Sequence, residues 1–381
     1  MKNQTKRLKR LLQLILPMVI LAGIIMGSTR VSIKAIKPDT KNIYVKATVT
    51  EVVADNAKGE HFNGTQKVVA RITDGKYKGE NCELSNSNTY QRGALCAAGT
   101  KIIALVQIDA EGNITGSVYN YDRTAMVYLL LGLFALSLIV VGGKKGAAAL
   151  YALAFTFLCI VCMYIPLLYV GTNGVLAAIL TAVMILAASI YILNGWSVKS
   201  LCAIIGTTVG IIISGVLAMV IGKASNLSGY NMSDVESMVY IAGSSKLDVG
   251  NILYAGVLIS CLGAVMDVSV SVVAAMWEIH EKAPGLEVRE LFASGMRVGH
   301  DMMGTMSNTL ILAYTGSATG VLLTVYSYEM DYLQIMGNNS LIIEIVSGLC
   351  GTIAVILTVP IQAIITTLAL KSGKGAKTKR R

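Results

Sequence analysis

Asp267 has fifteen uncharged residues before it and ten after it within the apolar run 252–277. At the centre of a bilayer a charged side chain costs about 2.5–3.5 kcal/mol on insertion scales, so such a group needs a protein partner, water or an ion. Ser271 follows one helical turn later and Glu278 eleven residues later, which puts all three on one helix face. On this reading Asp267 is the buried member and Glu278 the interfacial one. The next apolar run opens with His300 and Asp301, and Thr305 and Asn308 follow Asp301 at four and seven residues, a second polar stripe. Carboxylates, hydroxyls and an amide on consecutive membrane helices suit a cation or proton path. The structural alternatives are that Asp267 is hydrogen-bonded helix glue and that Asp301 caps the start of its helix. Asn194 is read with Gly195 as a turn, and Glu344 as interfacial.

Other motifs carry less. Cys82 and Cys96 are candidates for a disulfide if their segment meets an oxidising compartment, with two free thiols the alternative. Cys159 and Cys162 form a C-x-x-C inside an apolar run with no second ligand pair beside it, and read as packing thiols. The zinc-protease pattern after His280-Glu281 needs a second His where Pro284 stands. The three histidines, His61, His280 and His300, are spread over different segments, so no metal site is expected. Neither a phosphate loop nor a nucleophile elbow occurs, and no cofactor is expected. An intramembrane aspartyl hydrolase would need G-x-G-D, but Val298 replaces the first Gly before Asp301, so an enzyme is not expected.

The elements that hold these residues follow from composition. With 54% hydrophobic and 14% charged residues over 381 positions, the chain has more apolar surface than one soluble core buries, and a lipid bilayer must cover the rest. Apolar runs at 11–27, 125–141, 147–170, 175–193, 201–221, 252–277, 302–326 and 341–370 predict an α-helical polytopic membrane protein of about eight spans. The first follows a basic tail, residues 1–10, and reads as a signal anchor, because it nears spanning length and no clear A-x-A site follows. Leaving aside the long segment 28–124, Lys and Arg divide 17 to 2 between the two sides, with the termini and the tail 371–381 on the richer side. The positive-inside rule then places both termini in the cytoplasm. That partition accounts for the net charge of +10, so nucleic acid is not an expected partner. Pro166 and Pro360 should kink their spans, and Gly206 with Gly210 has the spacing of close helix packing.

Residues 28–124 would lie outside the membrane. Strand-like runs at 44–53, 67–73, 101–108 and 114–121, with Asp74-Gly75 and Glu111-Gly112-Asn113 between them, predict a small all-β domain, an OB-like barrel being the first choice.

The polar stripes sit in two long stretches, LGAVMDVSVS at 262–271 and VGHDMMGTMSNTLILAY at 298–314, and there the chain resembles the YibE/F family of multi-pass bacterial membrane proteins. The similarity extends more loosely over 121–370, including Asn194-Gly195 and Gly206-Thr207, and the N-terminal domain looks like that of the longer, YibE-like members. An Arg commonly precedes the aspartate where His300 stands here, a departure that removes a permanent positive charge beside Asp301. The resemblance implies a bacterial plasma membrane and a paralogous, shorter YibF-like partner or a homo-oligomer; it implies no substrate, cofactor or catalytic residue. The residues favour a permease or channel-like transporter of a small solute or ion, with Asp267, Ser271, Asp301, Thr305 and Asn308 lining its path. The alternative is a non-transporting scaffold or sensor whose outer domain binds an envelope component and whose spans assemble with a homologue.

Overall fold

The computed structural model describes residues 43–56, 64–88, 94–108 and 114–372, together with Val19, Ala22 and Gly23. The remainder of the first apolar run, the tail 1–10 and residues 373–381 lie outside the described residues. The chain forms two units, residues 35–137 and residues 1–34 with 138–381.

In the first unit, β1 (Ile43–Asp55), β2 (Gly64–Ile72), β3 (Asn81–Asn88), β4 (Lys101–Ile108) and β5 (Ile114–Tyr121) close into a barrel in the order β1-β2-β3-β5-β4. The β3–β5 pair is parallel and the other four are antiparallel. That order is the arrangement of an OB-type barrel. Side chains alternate in and out with period two: Val45, Ala47 and Val49 of β1 meet Val68, Ala70 and Ile72 of β2 and Ile102, Ala104 and Val106 of β4 in one core. Register shifts at Val49/Glu51 and Val52/Ala54 bend β1, so that its first half pairs with β4 and its second with β2. Gly116 is required by close approach, since a Cβ there would stand 2.0 Å from the Leu105 carbonyl oxygen.

Two polar side chains lie inside this core. The Gln66 carbonyl accepts from Asn86 Nδ2 at 3.0 Å and from the Cys96 amide at 2.9 Å, while Gln66 Nε2 donates to the Cys96 carbonyl at 3.2 Å. They tie the segment after β3 to the barrel and offset much of the cost of burying the two amides, although Asn86 Oδ1 has no hydrogen-bond partner among the described residues. The disulfide candidates are unbridged in this arrangement. Cys82 donates to the Ala70 carbonyl and Cys96 to that of Ala94, each a free, buried thiol. Burial pushes both thiols from 9.0 up to about 11. Because the thiolate is the nucleophile, neutral-pH alkylation of Cys82 and Cys96 in the folded chain is expected to run about a hundredfold slower than that of an exposed thiol. Peptide mass spectrometry before and after denaturation checks this; equal labelling in both states contradicts it.

β5 leads into α1 (Thr124–Cys159) through Asp122, whose Oδ1 accepts from the Thr124 amide at 2.9 Å. The Thr124 hydroxyl, the same amide and the Lys46 ammonium at 3.4 Å hold the Asp122 carboxyl below the usual carboxylate range.

In the second unit the chain bends sharply inside α1. Gly143 leaves helical geometry at φ 53°, ψ −129°, and a Cβ at Gly146 would stand 1.8 Å from the Leu138 carbonyl oxygen. A straight helix would hold residues eight apart at about 12 Å, so the backbone doubles back between the two predicted runs. After α1 comes a π turn (Ile160–Tyr164) and then α2 (Ile165–Tyr169), with Pro166 in its first turn. The Ile165 amide reaches back five residues to Ile160, a widened turn that places the missing Pro166 donor at a helix start.

The bundle continues with α3 (Gly174–Asn194), α4 (Val198–Ala224), α5 (Val235–Ser244), α6 (Ile252–Lys282), α7 (Val288–Ser317), α8 (Thr319–Ser327), α9 (Tyr332–Met336) and α10 (Asn339–Lys371). α10 packs on α4, α6 and α7, and α6 also receives α3 and α4. Among the described residues, five helices are long and apolar enough to cross a membrane, six if the bent pair α7–α8 counts as one. The run 302–326 is therefore not one straight span: α7 breaks after Ser317 and turns by 62° into α8.

Candidate functional site

α6 carries the first stripe along its open side. Gly256, Ser260, Gly263, Asp267 and Glu278 are exposed, and Ser271 and Ala274 half-buried, while Val257, Cys261, Val265, Val268, Val272 and Met276 face the core. The stripe advances by three or four residues per step, so it stays on one helix face, and its 22 residues rise about 33 Å, close to the thickness of a bilayer core. Asp267 was expected as the buried member of its face. It is instead exposed on the surface of the single chain, because the face that packs against α4 and α10 is taken by the valines. Among the described residues its carboxylate has no hydrogen-bond or ion-pair partner.

α7 carries the second stripe. Asp301, Thr305 and Asn308 are exposed, opposite the buried Leu291, Gly295, Gly299 and Leu310. A Cβ on Gly295 would stand 2.5 Å from Met276 Sδ, and one on Gly299 2.1 Å from Val359 Cγ1, so the small residues set this face against α6 and α10. Asp301 does not cap its helix: α7 begins at Val288, closed by a capping box between Glu287 and Glu290. The Asp301 backbone carbonyl accepts from the Thr305 hydroxyl at 3.3 Å, and the Asp301 side chain is exposed. His300 is exposed beside it, and Asn194 is exposed at the end of α3, ahead of Gly195 at φ 73° in the expected turn.

Two contacts fix the register of the stripes. Gly295 lies against Met276, and the Tyr314 hydroxyl shares a 2.5 Å hydrogen bond with that of Ser260. With α6 and α7 antiparallel, Asp267 comes level with Thr305 and Met306, and Asp301 level with Ser271 and Val272. Depth is thus shared, although among the described residues no hydrogen bond joins Asp267 or Ser271 to Asp301, Thr305 or Asn308.

Below Ser271 the surface opens into a cleft of about 460 Å³, lined by Lys199, Ser271, Ala274, Trp277, Glu278 and Glu281. One water needs roughly 10–15 Å³ of such volume, so the cleft holds many. Glu278 is paired with Lys282 at 2.8 Å, and both are exposed. Lys199 lies in the first turn of α4.

Sequence reasoning missed the polar centre of the bundle. Gln362, fully buried on α10, accepts from the Ser269 hydroxyl at 2.6 Å and donates to the Cys202 carbonyl and the Thr366 hydroxyl, each at 3.1 Å. The signal was available: one amide in a long apolar run, with Thr358 and Thr366 four residues to either side. Every contact is satisfied, so this cluster is packing chemistry that joins α4, α6 and α10.

The sequence profile of YibE/F-like proteins matches residues 130–372, which contain both stripes, the cleft and the Gln362 cluster. The chain belongs to the YibE/F-like family. No curated protein and no solved structure matches it. The N-terminal barrel of this YibE/F-like protein lies before the matched segment, so the family assignment rests on the membrane helices.

Proposed function

We propose that this YibE/F-like protein is a permease or channel-like transporter of a small cation or solute, and that the α6 stripe lines its path. The observation that carries this reading is the unpartnered Asp267 carboxylate on an open, small-residue helix face, one turn from a cleft large enough to be filled with water. Lipid contact at mid-depth would cost the carboxylate several kcal/mol, so water or a partner subunit must cover it. A second copy or a shorter YibF-like homologue closes the open side, with Gly256, Ser260 and Gly263 giving room for its approach.

In this reading the protein sits in a bacterial plasma membrane with both termini in the cytoplasm and the barrel outside. Eight spans arise from the first apolar run, two helices divided at Gly143, α3, α4, α6, the broken α7–α8 and α10. The cleft at Lys199 and Glu278 then opens to the cytoplasm. Reconstitution into proteoliposomes under imposed pH and cation gradients tests it: flux above that of empty vesicles is expected, and its absence across protons, monovalent cations and divalent cations would sink the reading. The glycine stripe also favours a second reading, a non-transporting scaffold that assembles through α6. It predicts a stable complex with no flux.

A further inference from the structure

At the opposite end of α6 from the cleft, the break between α7 and α8 leaves a cavity of about 290 Å³. Its walls are mostly apolar, from Ile311, Leu322, Leu341, Ile345 and Leu349, and among the described residues one carboxylate, Glu344 of α10, lines it. Tyr314 and Thr315 also line it, but both hydroxyls are engaged, Tyr314 with Ser260 and Thr315 with the Ile311 carbonyl at 2.7 Å. Glu344 is half-buried and has no hydrogen-bond or ion-pair partner among the described residues. Among the described residues no basic side chain lines the cavity.

We propose that this cavity binds a small organic cation, an ammonium group carried on an apolar body. An apolar wall favours burial of hydrocarbon and excludes a hydrated inorganic ion, while the single carboxylate selects positive charge at one end. A neutral apolar ligand would leave Glu344 unpaired in a partly desolvated wall, and an anion would be repelled. The pocket lies where α7 ends and turns by 62° into α8, and α7, α8 and α10 share its walls. The same ammonium chemistry is offered by a free amine and by the headgroup of phosphatidylethanolamine. Binding here does not depend on transport along α6.

The probe is benzyltrimethylammonium, titrated against the full chain in phosphatidylcholine nanodiscs, with neopentylbenzene as the neutral molecule of the same shape. Glu344→Gln, which preserves shape, is expected to weaken the cation by about tenfold or more and to leave the neutral probe unchanged. Thr315→Phe, placed on an exposed wall residue, is expected to abolish both. Competition by added phosphatidylethanolamine supports the site with a lipid headgroup as its occupant; lack of competition supports it with a free amine. Unchanged cation binding in Glu344→Gln, or in Thr315→Phe, overturns the proposal.

Discussion

Asp267→Asn is expected to insert and fold like the parent chain and to lower cation-driven flux in proteoliposomes by about a hundredfold, the factor that about 2.8 kcal/mol of lost cation stabilisation produces. The amide keeps the size and most of the hydrogen-bonding capacity of the carboxylate while removing its charge. Asp267 touches no other described side chain through a hydrogen bond or ion pair, so its neutralisation removes nothing that the fold of the single chain uses. If Asp267 is glue to a partner subunit, the amide still bonds, flux stays within about twofold of the parent, and the path reading fails. Membrane abundance and elution profile, measured in parallel, separate loss of function from loss of protein.

Gly210→Leu is expected to have the largest effect on folding. A Cβ at Gly210 would lie 2.1 Å from Thr358 Oγ1 and 2.8 Å from Val265 Cγ1, so α10 and α6 press on the position together. Both neighbours are β-branched and stiff at χ1, and neither can swing aside without leaving the bundle. Overpacking of this kind costs about 3 kcal/mol, a large share of a total stability of about 5–15 kcal/mol. Gly263→Leu is the matched control, because nothing lies within 4 Å of a Cβ there. The expected result in detergent is aggregated Gly210→Leu and a monodisperse Gly263→Leu peak; equal behaviour would contradict the packing assigned to α4, α6 and α10.

Some of these elements were legible from residue order and others were not, for physical reasons. Strands β4 and β5 were read with their observed ends because Lys101–Ile108 and Ile114–Tyr121 are rich in β-branched and aromatic residues and bounded by turns. β3 was missed because Asn81–Asn88 reads NCELSNSN, a polar string whose only inward groups are Cys82, Leu84 and Asn86. It is a strand because Gln66 and the parallel partner β5 use it. The break after Ser317 was missed because no proline marks it; a one-residue interruption between two helical runs carries no periodicity signal.

The site was legible in part. Spacing placed Asp267, Ser271 and Glu278 on one face of α6, and Asp301, Thr305 and Asn308 on one face of α7, as observed. Spacing cannot say which face the neighbours cover, and here the branched aliphatics of α6 claimed the interior and left the carboxylate outside. Gln362 went unremarked because an uncharged amide in an apolar helix raises no insertion penalty comparable to that of a carboxylate, although it sits at the centre of the bundle.

The claim that α6 lines a hydrated path is tested most directly by thiol accessibility. All seven cysteines except the half-buried Cys162 are buried, so Cys162→Ser gives a quiet background. In inside-out vesicles, Ser271→Cys and Gly263→Cys are expected to react with a membrane-impermeant, cationic methanethiosulfonate, and Leu180→Cys, on an exposed apolar position of α3, is not. If Ser271→Cys and Gly263→Cys are as silent as Leu180→Cys, the stripe is dry and the path does not exist.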